Sequence, residues 1–371
     1  MDIEEAAKRI GTTSDKLDAW ERGDATPTVR QARVLAETYG RSFLELFRQE
    51  PPPLQESDLI PDFRLHRDAG EPREGRDLLD IQAWAEEMRL NAIDLYDVVS
   101  EPVPGLPRHL RAGLQESPEV AAVRAREVVG FAVEDQIGLK SALRSGVPAA
   151  LRRALDKAGI LVLRESGLAK LGARGMCIFA TPLPVIVYSS ESPSAQVFTL
   201  AHELGHVALG ESAISGAPPG QGAASHGRTV EQWCNHFAAA FLVPAGDLAA
   251  HWAKPNVPQP RIEDIALSSL SKRYAVSDHA MLLRLIELRY VDSTFYWNEM
   301  RAILMAREAS FRGGGRSEYY GTRYRSARGD LYTGLVMEAW SSGRISNHNA
   351  AEFMGIKNIK HLEDIRDRFG I

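Results

Sequence analysis

Ser192-Pro193-Ser194-Ala195-Gln196-Val197-Phe198-Thr199-Leu200-Ala201-His202-Glu203-Leu204-Gly205-His206-Val207-Ala208-Leu209 is the stretch around which the rest of the chain organises. Ser192 is a good N-cap, and Pro193 suits the first helical position, where an N–H would have no intrahelical partner. The residues that follow predict a helix over about 194–209. Val197, Leu200, Ala201, Leu204 and Val207 surround it with apolar side chains, which predicts a largely buried element. Inside it lies His202-Glu203-Leu204-Gly205-His206. Two His four apart stand one turn above the other on the same face. Both imidazoles can therefore reach one Zn²⁺, and Glu203 can accept a proton from a water that the metal has acidified. Two buried His and a Glu without a metal would be costly to desolvate.

A catalytic zinc takes three protein ligands and keeps one position open. The third is expected from a nearby helix, and Glu231 is the choice, 25 residues after His206 at the start of the next helix. Asn235 shares a face with Glu231 at i, i+4 and is a candidate to support the site. Glu211, His226, His236 and Cys234 are rivals for the third position. Glu211 is close to the end of the first helix, and His226 sits in a loop where it suits a substrate contact better. A lone Cys such as Cys234 is more often a small buried residue than a ligand.

Working outward, Ile160-Leu161-Val162-Leu163 and Pro184-Val185-Ile186-Val187-Tyr188 read as strands, with a weaker one over Met176 to Phe179. Residues 210–228 are rich in Gly, Ala, Ser and Pro and read as a loop. A helix is expected from about 228 to 242, ended by Pro244, and two more over 262–290. Residues 74–145 are helical in pattern, interrupted by three prolines between Glu101 and Pro107. The stretch 293–371 is helical too, broken by Gly313-Gly314-Gly315. Near the start, helices about 3–10, 14–22 and 28–39 are separated by turns at Gly11 and Gly23, with Thr12, Thr13 and Ser14 as capping candidates. Helix, Gly turn, helix is the helix-turn-helix pattern. Pro51-Pro52-Pro53 is a stiff linker candidate.

Composition is ordinary: 371 residues, 44% hydrophobic, 25% charged, net charge −5. No apolar run approaches the roughly 20 residues needed to span a bilayer. The acidic, amphipathic opening is unlike a secretory signal. Two cysteines, Cys177 and Cys234, form no disulfide framework, so a reducing, cytoplasmic location is expected.

Phe198 to His206, followed by Glu231-x-x-Cys234-Asn235-x-Phe237-Ala238-Ala239, resembles the ImmA/IrrE family of zinc metallopeptidases. The strand ending at Ser189, and Val276-Ser277 with Arg284, are similar to that family as well. Residues 4–31, with Ala6-Ala7, Gly11, Trp20-Glu21-x-Gly23 and Pro27, resemble an Xre-type helix-turn-helix that lacks its usual first helix. The resemblance implies His202, His206 and Glu231 as zinc ligands and Glu203 as general base. It also implies a protein substrate, a transcriptional repressor, often itself a helix-turn-helix protein, cleaved at one site under stress; an antitoxin as the substrate and a mobile-element response are further candidate readings. Where many members carry Glu-Ala before the Asn, this chain has Trp233-Cys234. The expected architecture is α+β: a helical module over 1–50, a helical connector over 51–145, a zincin-like domain with a small sheet over 146–292, and a helical region over 293–371. His226, Tyr188 and Tyr274 are candidates to stabilise the oxyanion.

A DNA reader presents Lys, Arg, Asn or Gln at the start of its second helix. Here Lys16 stands between Asp15 and Asp18, and residues 1–48 hold nine acidic and eight basic side chains. DNA binding and a role in protein interaction or dimerisation are both open to this module. A second basic patch, Arg312, Arg316, Arg323, Arg325 and Arg328, is interleaved with Tyr319, Tyr320 and Tyr324 and suits nucleic acid or an acidic partner. The chain as a whole is expected to meet a protein substrate, with DNA and a second copy of itself as further candidate partners and no membrane.

Overall fold

The computed structural model describes residues 3–39, 72–139, 146–216, 225–309 and 320–369. The chain divides into two compact units, 1–59 and 60–371. In the first, α1 (Ile3–Ile10), α2 (Ser14–Glu21) and α3 (Val29–Tyr39) gather Ala6, Ala7, Leu17, Trp20 and Leu35 into a small core. Gly11 and Gly23 make the turns at positive φ. Thr13 takes the N-cap position of α2 without a side-chain hydrogen bond. The Lys16 ammonium lies 5.7 Å from the centroid of the Trp20 ring, a cation–π contact within the helix.

The second unit is built on a four-stranded sheet in the order β1-β3-β2-β4. Strands β1 (Leu161–Arg164) and β3 (Val185–Tyr188) are parallel, and β2 (Ala173–Ile178) runs antiparallel to β3 and to β4 (Ala213–Gly216). Both faces are covered. Val162, Ile186, Tyr188 and Cys177 face one apolar core, and Leu161, Leu163, Val185, Val187, Met176, Ile178 and Ile214 face the other. A strand buried on both sides reads as a continuous apolar run, which is why β1 and β3 stand out in the sequence. β4 does not, and the expected loop over 210–228 is corrected here. The loop reading rested on small residues; Ile214 alone supplies a large apolar side chain to this short edge strand, paired opposite Met176.

On the first face lie α5 (Pro118–Val129), α6 (Val133–Gly138), α7 (Gly146–Lys157), α8 (Pro193–Leu209), α9 (Ser225–Leu242), α10 (Ala245–His251), α11 (Asp264–Tyr274) and α12 (Asp278–Glu287). A short α13 (Ser293–Phe295) runs through a π turn into α14 (Arg301–Ala309). The second face is covered by α4 (Pro72–Val99), α15 (Tyr320–Ser341), α16 (Asn347–Met354) and α17 (Lys360–Phe369). Helices from the expected connector and from the C-terminal region thus meet on one side of the sheet.

α15 bends at Gly329, whose φ of 82° and ψ of 165° only glycine adopts readily. A Cβ there would stand 2.5 Å from the Val162 carbonyl oxygen. The bend restarts the helix, and Asp156 Oδ2 accepts from the N–H of Asp330 at 3.2 Å and of Leu331 at 3.4 Å. A carboxylate at a helix start satisfies donors the helix cannot. Arg152 donates to Ser326 O at 3.0 Å and lies 3.5 Å from Asp330.

Burial raises the Asp156 carboxyl from an ordinary 3.8 to about 7, against the opposing pull of Arg152 and with Asp330 adding to the rise. A raised folded value means that the native state holds the proton more tightly. Its stability therefore falls as the pH climbs from about 4 through about 7. Asp156→Asn keeps an oxygen for the α15 N–H groups but cannot ionise. Thermal melts between about pH 5 and 8 should show a shallower loss of midpoint in this variant than in the wild type.

Candidate metal centre

α8 begins and ends as its sequence dictates. Ser192 Oγ accepts from Ala195 N, Pro193 opens the helix, and Gly210 closes it at φ 76° with its N–H on the His206 carbonyl. Val197, Leu200, Ala201, Leu204 and Val207 are fully buried. His202, Glu203 and His206 are buried with them, at 4%, 0% and 0% exposed.

α9 packs across α8. Its inner face is a ladder of Trp233, Phe237 and Phe241, with ring centroids 5.3 and 6.0 Å apart along the helix. Trp233 Nε1 also donates to Glu116 O at 2.8 Å. At the crossing, a Cβ on Gly205 would lie 3.2 Å from Cys234 Sγ and 3.3 Å from Cys234 Cα. The Trp233-Cys234 pair is therefore packing: the Trp fills the inner face, and the Cys is the small residue against Gly205. The last carbonyls near the end of α9 have no helical donors and take buried side chains instead. Arg126 donates to Phe241 O, Gln136 to Leu242 O at 3.0 Å, and Arg284 to Val243 O at 3.1 Å. Arg284 is itself held by both carboxylate oxygens of Glu119 and by Glu287. Cations at a helix C-terminus also complement its dipole.

This framing carries Glu231, 2% exposed, to the two imidazoles. His202 Nε2 and His206 Nε2 are 3.2 Å apart. Glu231 Oε2 is 3.4 Å from His202 Nε2, and its Oε1 is 3.3 Å from His206 Nε2. A tetrahedral zinc with bonds of about 2.0–2.1 Å sets its ligand atoms about 3.3 Å apart. Two imidazoles and a carboxylate, all buried and at that spacing, fit such an ion. Among the described residues this is the group of three His, Cys, Asp or Glu side chains that could hold a metal.

Glu203 faces the sheet. A Cβ on Gly175 of β2 would overlap Glu203 Oε1 and stand 2.7 Å from Thr199 Cγ2. The glycine leaves the space that the carboxylate fills. Sequence reading passed over it, since the only available signal was a glycine inside a weak strand. Cys177, two residues on, has its thiol pushed well up by burial and then by the Glu203 charge.

The other candidates are placed elsewhere. Asn235 is exposed one turn beyond Glu231 and makes no hydrogen bond among the described residues. His226 lies in the first turn of α9 rather than in a loop, its side chain outside the described residues. His236 turns to Glu287, 2.6 Å away, and that hydrogen bond raises its pKa. Tyr188 OH accepts from Arg152 at 3.3 Å, and Tyr274 OH donates to Asp247 at 2.6 Å. Both tyrosines among the three oxyanion candidates are thus engaged in bonds within the fold. Of the second basic patch, Arg323 is exposed, Arg325 pairs with Asp330 at 2.9 Å, and Arg328 lies over the Trp84 ring at 5.1 Å. Arg312 and Arg316 lie outside the described residues. No described helix is long and apolar enough to cross a membrane.

Residues 155–285 match the family described as the IrrE N-terminal-like domain, Peptidase_M78. The matched stretch contains α8, α9 and all three members of the group that could hold a metal. It supports a peptidase function. No curated protein matches the chain.

Two outcomes follow from this geometry. Glu231→Ala should weaken zinc binding by more than the roughly 10- to 100-fold typical of losing an outer partner of a ligand, read by competition with a chromophoric chelator. Gly175→Ala should leave zinc affinity within that range of wild type but displace Glu203, and a crystal structure of the variant would show the carboxylate moved off the β2 backbone.

Proposed function

We propose that this protein is a zinc-dependent endopeptidase that cleaves a specific regulatory protein, a helix-turn-helix repressor or an antitoxin, and so switches on a stress or mobile-element response. The observation that carries the reading is the buried triad of His202, His206 and Glu231 at 3.2–3.4 Å, with Glu203 on the same helix. The peptidase part is supported by the family match over 155–285. The substrate class rests on the resemblance to ImmA/IrrE peptidases joined to Xre-type modules. Residues 1–50 would then dock the substrate, DNA or a second copy.

His202 and His206 from α8 and Glu231 from α9 would hold the ion between two packed helices. When bound, zinc supplies Lewis acidity for the scissile carbonyl and the attacking water. With the ion bound, Glu203 would accept the proton of the attacking water and return it to the leaving amine.

Glu203→Gln should retain zinc and lose cleavage by roughly 10²- to 10⁴-fold. The measurement is a comparison of new protein N-termini in cells carrying wild type or the variant, before and after DNA damage or oxidant. One or a few N-termini lost in the variant would identify the substrate. Identical N-termini under several stresses would overturn the peptidase reading and favour a DNA-binding regulator whose peptidase-like domain senses or docks a partner.

A further inference from the structure

From Thr199 to Ala208 every residue of α8 is buried, and Phe198 is the last half-buried residue before that run. Ala195, Phe198, His202 and His206 stand at i, i+3, i+7 and i+11, on one stripe of the helix. Burial deepens along the stripe. Ala195 and Phe198 are half-buried, His202 keeps 4% of its surface exposed, and His206 is fully buried. Along α8, solvent therefore comes nearest to the group that could hold a metal at Phe198. The centroid of the Phe198 ring lies 6.5 Å from that of His202, with the planes tilted by 31°. Aromatic pairs sit at about 4.5–7 Å, so His202 helps to fix how this ring stands. The ring also packs on the core of the first face, and the part it leaves uncovered is an apolar surface next to a metal-holding imidazole.

We propose that Phe198 is a specificity residue, whose uncovered ring receives an apolar side chain of the substrate from a residue flanking the peptide bond cleaved at the zinc. Successive residues of an extended chain are spaced by about 3.3–3.6 Å. A peptide group at an ion held by His202 thus brings a flanking side chain within reach of a ring 6.5 Å from that imidazole. An acidic side chain would lose its hydration against the ring and meet the negative face of the π-system. A cationic one would be drawn to that face but repelled by the divalent ion beside it. The inference rests on the peptidase reading above and adds to it the kind of residue selected next to the cleaved bond.

The test uses the full chain loaded with zinc and two probes, acetohydroxamate and phenylacetohydroxamate. Both offer the same chelating group to the metal, and the second carries a benzyl group where a flanking side chain would stand. Binding of each is measured by calorimetry for wild type, Phe198→Ala and Phe198→Leu, and zinc affinity by competition with a chelator. Wild type should prefer the benzyl probe by roughly 2- to 12-fold, the worth of an aromatic pair. Phe198→Ala should bring the ratio close to one, and Phe198→Leu should leave part of it, with zinc affinity unchanged in both. The ratio is taken within each protein, so a loss of stability cancels from it. Equal binding of the two probes by wild type, or a wild-type ratio in Phe198→Ala, overturns this inference alone. If Phe198→Ala does not fold, Phe198→Leu decides: a reduced ratio supports the inference and an unchanged one overturns it. Loss of zinc in a folded variant marks the ring as a support for His202 and also overturns it. Wild type that takes no zinc, or takes zinc and neither probe, overturns the peptidase reading and this inference with it.

Discussion

Where α8 and α9 cross, a methyl group on Gly205 would crowd Cys234, 3.2 Å from its Sγ and 3.3 Å from its Cα. That approach decides how far Glu231 stands from the imidazoles. Glu231 lies one turn before Cys234, and a helix moved outward by a side chain's width would take its carboxylate out of reach of both His. The crossing is fixed at its far end by buried polar groups: Arg126, Gln136 and Arg284 each take a carbonyl near the end of α9. The inner face is filled by the Trp233, Phe237 and Phe241 rings. Helix packing thus brings together the three side chains that could hold a metal.

The opposite wall follows the same logic. Glu203 presses on β2 at Gly175, and no other residue type leaves that space. The His-Glu-x-x-His helix therefore needs a glycine on each side, one within it against α9 and one under it in the sheet. Both glycines serve close approach, and neither is at positive φ.

Much of this was legible because α8 carries its own start signal and chemistry in 18 contiguous residues. β1 and β3 were legible because burial on both faces leaves an unbroken apolar run. Glu231 could be chosen by type and distance along the chain. What could not be read were relations between segments. Gly175 gains its meaning only from its place against α8, and a short strand such as β4, with one large apolar residue, carries almost no periodic signal. Arg325 and Arg328 look like a basic surface in sequence, yet Asp330 and Trp84 occupy them within the fold. Tyr188 and Tyr274 look like catalytic hydroxyls and are held by Arg152 and Asp247.

The doubly covered sheet has a further consequence. The stretch matched to the peptidase family ends at 285, yet Leu161, Leu163, Val185 and Val187 are shielded by α15, α16 and α17, drawn from residues 320–369. A protein cut after the matched stretch would expose that apolar face to water, at a cost of roughly 25 cal/mol for each Å² uncovered. The matched stretch is therefore not a self-sufficient folding unit in this chain. Its cooperativity extends to a helix that restarts at Gly329 under the hand of Asp156. Whatever loosens that joint also loosens the floor on which Glu203 rests.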